Sequence, residues 1–171
     1  MFALFFVVAL VTGQLTARLR AREAAERNRE QRATALYFLT REIAAAKDLT
    51  DVLAVAVRQL GDTFGAEVAL LLVDPEGNLV GYPFGTWTPA GKESGVADWA
   101  FRNVKPAGRF TDTLPSAEAL HLLLVTPSGC IGVAALRFRG GRTPDFHQRN
   151  LLDSFVGQIS LVLDRQRLRD V

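Results

Sequence analysis

The residue types that carry most protein chemistry are scarce here: one cysteine, Cys130, and two histidines, His121 and His147, in 171 residues. A lone thiol excludes an internal disulfide and any multi-cysteine metal cage. Cys130 stands between Gly129 and Ile131 in a strand-like run and reads as a small buried hydrophobe. His121 opens an apolar run and reads first as a hydrogen-bonded strand histidine, with haem ligation the lesser reading. Arg139-Gly140-Gly141-Arg142 has the glycines of a phosphate cradle but not the Lys-Ser/Thr that should follow them. Asp112 between Thr111 and Thr113 suits a turn fixed by side-chain to backbone bonds. No nucleophile–base constellation emerges, so the sequence points to no catalytic residue, no metal and no cofactor. The aromatics outside the helical seams include Tyr82, Trp87, Trp99 and Phe101. The plain reading is that these aromatics fill a core.

Charge offers a candidate of its own. Arg18, Arg20, Arg22, Arg27, Arg29 and Arg32 stand against Glu23, Glu26 and Glu30 immediately after an apolar run, Met1–Val11. As a helix that run covers roughly 16 Å, about half a hydrocarbon core. Its positive charge follows rather than precedes it, the reverse of a signal peptide. Residues 1–14 are therefore expected to be the C-terminal end of a transmembrane helix, and 15–34 an arginine-rich juxtamembrane linker marking the cytoplasmic side. Near anionic headgroups each arginine would contribute on the order of 1 kcal/mol, so inner-membrane lipid is an expected partner. Over the whole chain the net charge is only +2, which argues against nucleic acid.

The elements that must position these residues follow from periodicity. With 49% hydrophobic and 22% charged residues, the chain has the balance of a folded protein. From Gly13 to Lys47 it is rich in helix formers. Leu36, Leu39 and Ile43 give this long helix an apolar seam able to pack on another helix, matched by Leu152, Phe155, Ile159 and Val162 near the C-terminus. A helix capped by Thr50 runs to Gly65. Glu67–Val73 and Leu79–Tyr82 read as a hairpin around Asp74-Pro75-Glu76-Gly77. A helix is predicted over Glu93–Asn103, ended by Pro106 and Gly108. A second hairpin, His121–Thr126 and Cys130–Phe138, turns at Pro127-Ser128-Gly129. Thr143-Pro144 is expected to start the last helix. The fold class is α+β: an antiparallel sheet flanked by helices.

The segment Gly129–Leu136, followed by Phe146, Leu151-Leu152, Phe155 and Gln158-Ile159, resembles the tail of GAF domains, relatives of the PAS fold. Asp98-Trp99-Ala100-Phe101, Pro106-Ala107-Gly108 and Thr111-Asp112-Thr113-Leu114-Pro115 are similar to the cytoplasmic GAF segment of KdpD-type sensor histidine kinases. The arginine-rich stretch resembles the same proteins. Leu123 departs from the pattern, where that family has a proline. The resemblance implies a GAF domain over 35–164 and, over 165–171, the start of a helix leading to a phosphoacceptor domain. It implies that the two helical seams pair in a parallel homodimer, and that Tyr82, Trp87, Trp99 and Phe101, with His121, are the candidates to line a pocket between the sheet and the helix that crosses it. It implies a bacterial inner-membrane protein with its GAF domain in the cytoplasm, relaying signals to a kinase core and response regulator that control a potassium-uptake ATPase. Without the phosphoacceptor and ATP-binding parts, this stretch itself is expected not to be an enzyme. The alternative is a GAF receptor for a diffusible metabolite in another signalling protein.

Overall fold

The computed structural model describes residues 14, 26–27, 29–42, 44–46, 48–141 and 143–167. The chain divides into two compact units, Met1–Ala35 and Leu36–Val171. In the first, the described residues from 26 onward are helical and, through residue 34, exposed, Arg27, Arg29 and Arg32 among them. The expected membrane segment, apart from Gln14, lies outside the described residues, as do Arg18, Arg20, Arg22 and Ile43. Among the described residues no helix is long and apolar enough to cross a membrane.

The second unit begins with the end of this leading helix and then α1, Leu49–Phe64. The cap of α1 is Asp48, whose carboxylate accepts the Asp51 N–H at 2.8 Å, rather than Thr50 as predicted. Aspartate outranks threonine as a cap, and here it starts the helix earlier. Val52, Leu53, Ala56, Val57 and Leu60 are buried along one face, and Gly65, at φ 60°, ends the helix with its N–H on the Gly61 carbonyl.

Five strands follow: β1 (Ala66–Val73), β2 (Leu79–Gly81), β3 (Ala107–Gly108), β4 (Leu120–Thr126) and β5 (Gly129–Phe138). All pairings are antiparallel, in the order β2-β1-β5-β4-β3. The β1–β2 turn closes with the Asn78 N–H on the Asp74 carboxylate at 2.7 Å. The β4–β5 turn is tighter than predicted, because Thr126 pairs directly with Gly129. In β1, Val68 through Leu72 are all buried, the mark of a strand covered on both faces. Helix α2, Lys92–Asn103, covers one face. On the other lie α1 and α3, Phe146–Arg167. Helix α2 ends at Val104, in a left-handed conformation with φ 46°, before the expected stop at Pro106 and Gly108; Gly108 instead belongs, with Ala107, to strand β3.

The start of α3 also differs from expectation. Asp145 accepts the Gln148 N–H at 2.8 Å while Gln148 accepts the Asp145 N–H at 3.1 Å. This reciprocal box displaces the predicted Thr143-Pro144 start. At Gly132 a side chain would collide with the Leu71 carbonyl of β1, so the close approach there is by backbone.

Candidate functional site

Small residues let α2 settle directly onto the sheet. Ala97 packs with Ala69, Leu71, Val133 and Ala135, closed around by Trp87, Phe101, Leu79 and Leu123. Val96 and Ala100 pack with Ala107 and Ala117, with Trp99 alongside.

At the edge of this apolar contact sits a polar cluster. His121, opposite Ala135 on β5 and Ala107 on β3, is fully buried, and neither ring nitrogen has a hydrogen-bond partner. Its Nε2 lies 3.8 Å from Oε2 of Glu93, itself buried in the first turn of α2. Glu93 accepts the backbone N–H groups of Glu118 at 2.8 Å and Ala119 at 3.2 Å. Burial pushes the His121 pKa below its ordinary 6.5, while the negative charge of Glu93 and the nearby backbone of Ala119, Ala107 and Glu93 pull the other way. Desolvation prevails, which leaves the imidazole neutral near pH 7. Gly108, at φ 96°, makes this arrangement fit: a side chain there would strike the Ala119 carbonyl and come within 2.9 Å of His121 Nδ1.

A second polar group flanks the first. The guanidinium of Arg137 lies 4.8 Å from the centroid of Trp87 and bonds Glu67 at 2.7 Å, with Glu118 at 3.6 Å. Trp87 Nε1 is buried without a partner. Of the five sequence candidates, Trp99 and Phe101 on α2 and Trp87 and His121 opposite them thus border the contact between α2 and the sheet. Tyr82 does not: it packs on Phe84, with ring centroids 5.9 Å apart, and lines a cavity of about 260 Å³ with Leu49, Leu72 and Val80. Glu93, Glu67 and Arg137 were missed from sequence. A glutamate in the first turn of a helix is ordinary on a surface, and only the fold turns it inward.

The arrangement can hold and orient groups; it contains no nucleophile beside a base. Among the described residues no cluster of three or more His, Cys, Asp or Glu could hold a metal ion. The Cys130 thiol, pushed up by burial, points to the Gly132 carbonyl at 3.4 Å.

The expected dimer seam requires correction. Leu39, Leu152, Phe155 and Ile159 are wholly buried within the single chain, and Phe155 meets Phe64 of α1 edge-on at 5.5 Å. Their 3-4-3 spacing is that of a core face, continued at Leu163. Leu36 and Val162 are half-buried. Among the described residues, the large apolar side chains left exposed on these helices are Tyr37, Phe38, Phe146 and Leu161.

No family model matches the chain. The sensor protein KdpD of Escherichia coli is 32% identical over 172 residues, covering 98% of this chain. The crystal structure of the GAF domain of the E. coli potassium sensor histidine kinase KdpD superposes with a TM-score of 0.70 and 28% identity, over 81% of this chain and 96% of that one. The chain carries a GAF domain of the KdpD type. KdpD of Clostridium acetobutylicum is 25% identical over 177 residues, again 98% of this chain. This chain spans 19% of the length of each of these two KdpD proteins. The GAF domain of an Acinetobacter phosphoenolpyruvate-protein phosphotransferase shares the fold, with a TM-score of 0.63 at 15% identity, over 82% of this chain and 97% of that one. The polar cluster under α2 therefore lies within a GAF domain of the KdpD type.

Proposed function

We propose that this KdpD-type GAF domain relays signals in a membrane-bound, potassium-responsive sensor histidine kinase, to a kinase core and response regulator controlling a potassium-uptake ATPase. The contact that carries the reading joins the helix entering the domain to the helix leaving it. Thr40 Oγ1 of the leading helix donates to Gln158 Oε1 of α3 at 2.8 Å, and Leu39 beside it is buried. A displacement of the incoming helix is thereby handed to the outgoing one without passing through the sheet. Replacing the GAF segment of E. coli KdpD by residues 36–167 should preserve potassium-responsive expression of the uptake system. Output that no longer responds to potassium would refute the relay.

The domain works as a parallel homodimer with the exposed Tyr37, Phe38 and Leu161 at the contact. The arginine linker is a salt-sensitive contact with the inner leaflet, the GAF domain lying on the cytoplasmic side. A peptide of residues 13–34 should bind anionic vesicles and release as salt rises, since counter-charge screening acts within ~10 Å. Equal binding to neutral vesicles would reduce the arginines to topology markers.

A receptor for a small metabolite is the second reading, favoured by the buried, unpartnered nitrogens of Trp87 and His121. Native mass spectrometry of the chain purified from cells tests it: a retained stoichiometric mass supports it, and loss of that mass on His121→Gln would locate it.

A further inference from the structure

The loop over residues 109–119 joins β3 to β4 and is held from both faces of the sheet. At its far end the first turn of α2 grips it. Glu93 accepts the Glu118 and Ala119 amides, and Lys92 Nζ donates to the Ser116 carbonyl at 2.8 Å and to its hydroxyl at 3.1 Å. At its near end Arg149 of α3 donates to the Phe110 carbonyl, and the Phe110 ring packs edge-on against Phe138 at 5.8 Å. Within the loop Phe110 and Leu114 have left-handed backbones, at φ 65° and 54°. Each such conformation is disfavoured for a side-chain-bearing residue and persists only where its surroundings enforce it. The enforcement here comes from bonds inside the loop, Gly108 N–H to the Thr113 carbonyl at 2.7 Å and Arg109 N–H to the Ala119 carbonyl at 2.8 Å, together with the residue pair on α2 and the arginine on α3.

Glu93 also faces His121, whose ring nitrogens lie beside the backbone of Ala119, Ala107 and Glu93 without a full hydrogen bond. A proton on His121 makes both nitrogens donors, and an imidazolium 3.8 Å from a carboxylate draws it into a charge-assisted hydrogen bond. The oxygen nearest the ring, Oε2, is the one that holds the Ala119 amide by the longer bond, 3.2 Å. We propose that Glu93 and His121 form a proton-operated latch. With His121 neutral, Glu93 clamps the loop to α2. With His121 protonated, Oε2 turns to Nε2, the hold on Ala119 loosens, and the loop shifts the Phe110 carbonyl against Arg149 on α3.

Other charged groups near the pair leave it poised. Glu118, from the loop, faces Arg137 of β5 at 3.6 Å, and Arg137 is in turn held by Glu67 of β1. Arg109 lies over the Phe110 ring at 5.2 Å. β3 offers only Ala107 and Gly108. Glu93 is thus the carboxylate opposite the imidazole, and the latch belongs to the domain whether or not the kinase reading above holds.

Nuclear magnetic resonance of the full chain in detergent tests this, in a His147→Asn background that leaves His121 the sole histidine. Between pH 8 and 4.5 the amides of Glu118 and Ala119 and the Nε of Arg149 should shift together, with one midpoint below 6.5. The protection factor of the Ala119 amide should fall at least fivefold on the acid side. In Arg149→Lys the loop amides should still titrate while the Asn150 amide of α3 stops following them, and in Glu93→Gln the Ala119 response should vanish. An Arg149 signal that stays flat while Ala119 titrates, or no titration of His121 above pH 4.5, overturns the proposal.

Discussion

Arg137 lies over the indole of Trp87 at 4.8 Å and at the same time holds the carboxylate of Glu67 on the neighbouring strand at 2.7 Å. One side chain thus fastens the β1–β5 ladder and roofs an aromatic ring at the rim of the face beneath α2. Arg137→Ala is expected to cost about 1–2 kcal/mol, since the side chain is over a third exposed and the ion pair is screened. Urea unfolding measures it. Arg137→Lys should recover less than half of the loss, because lysine keeps the charge but not the planar stacking.

The caps make a paired prediction. Asp48→Ala and Asp145→Ala should each destabilise by about 1 kcal/mol, whereas Thr50→Ala and Thr143→Ala should change stability by less than about 0.5 kcal/mol. Thermal melts of the four variants decide between the observed helix starts and those expected from threonine.

Core and association separate on the two terminal helices. Leu39→Asp should unfold the domain, because it would place a carboxylate at a fully buried position. Leu161→Asp, at a position 57% exposed, should leave the melting temperature within a few degrees and lower the solution mass toward that of one chain. Light scattering alongside a melt distinguishes the two. A dimer unaffected by Leu161→Asp, Tyr37→Asp and Phe38→Asp would show that association uses another face.

Acid should weaken the fold through His121. Burial sets its folded pKa below 6.5, so above that pH the ring is neutral folded or unfolded and contributes no slope. As pH falls through 6.5 the unfolded chain takes up a proton that the folded chain does not. Stability is then lost, by up to about 1.4 kcal/mol per pH unit, until the folded pKa is reached. Chemical denaturation from pH 7.5 to 5 should show this slope, and His121→Gln should flatten it.

The two hairpins were legible because turn residues fix them: Asp74-Pro75-Glu76-Gly77 and Pro127-Ser128 leave the chain little else to do. β3 was not, since two residues carry no period. The helix starts were misread where an aspartate stood two residues from a threonine, a contest that sequence scores and geometry settles. The 3-4-3 seams identified buried faces but could not say what buries them, because a core and a dimer interface demand the same spacing. Trp87, Trp99, Phe101 and His121 come together because α2 lies across the sheet, as the resemblance implied. The acidic partner that gives His121 its setting stayed hidden, as its burial arises only when α2 lies across the sheet.

The sheet ends in β2, three residues long, and β3, two residues long. Edges so short offer an approaching chain almost no unpaired backbone to extend. Two copies of this domain tethered side by side would otherwise risk fusing their sheets into a continuous ribbon, a step toward fibrils. Curtailed borders remove that route, so neighbours can be held at high local concentration and still come apart.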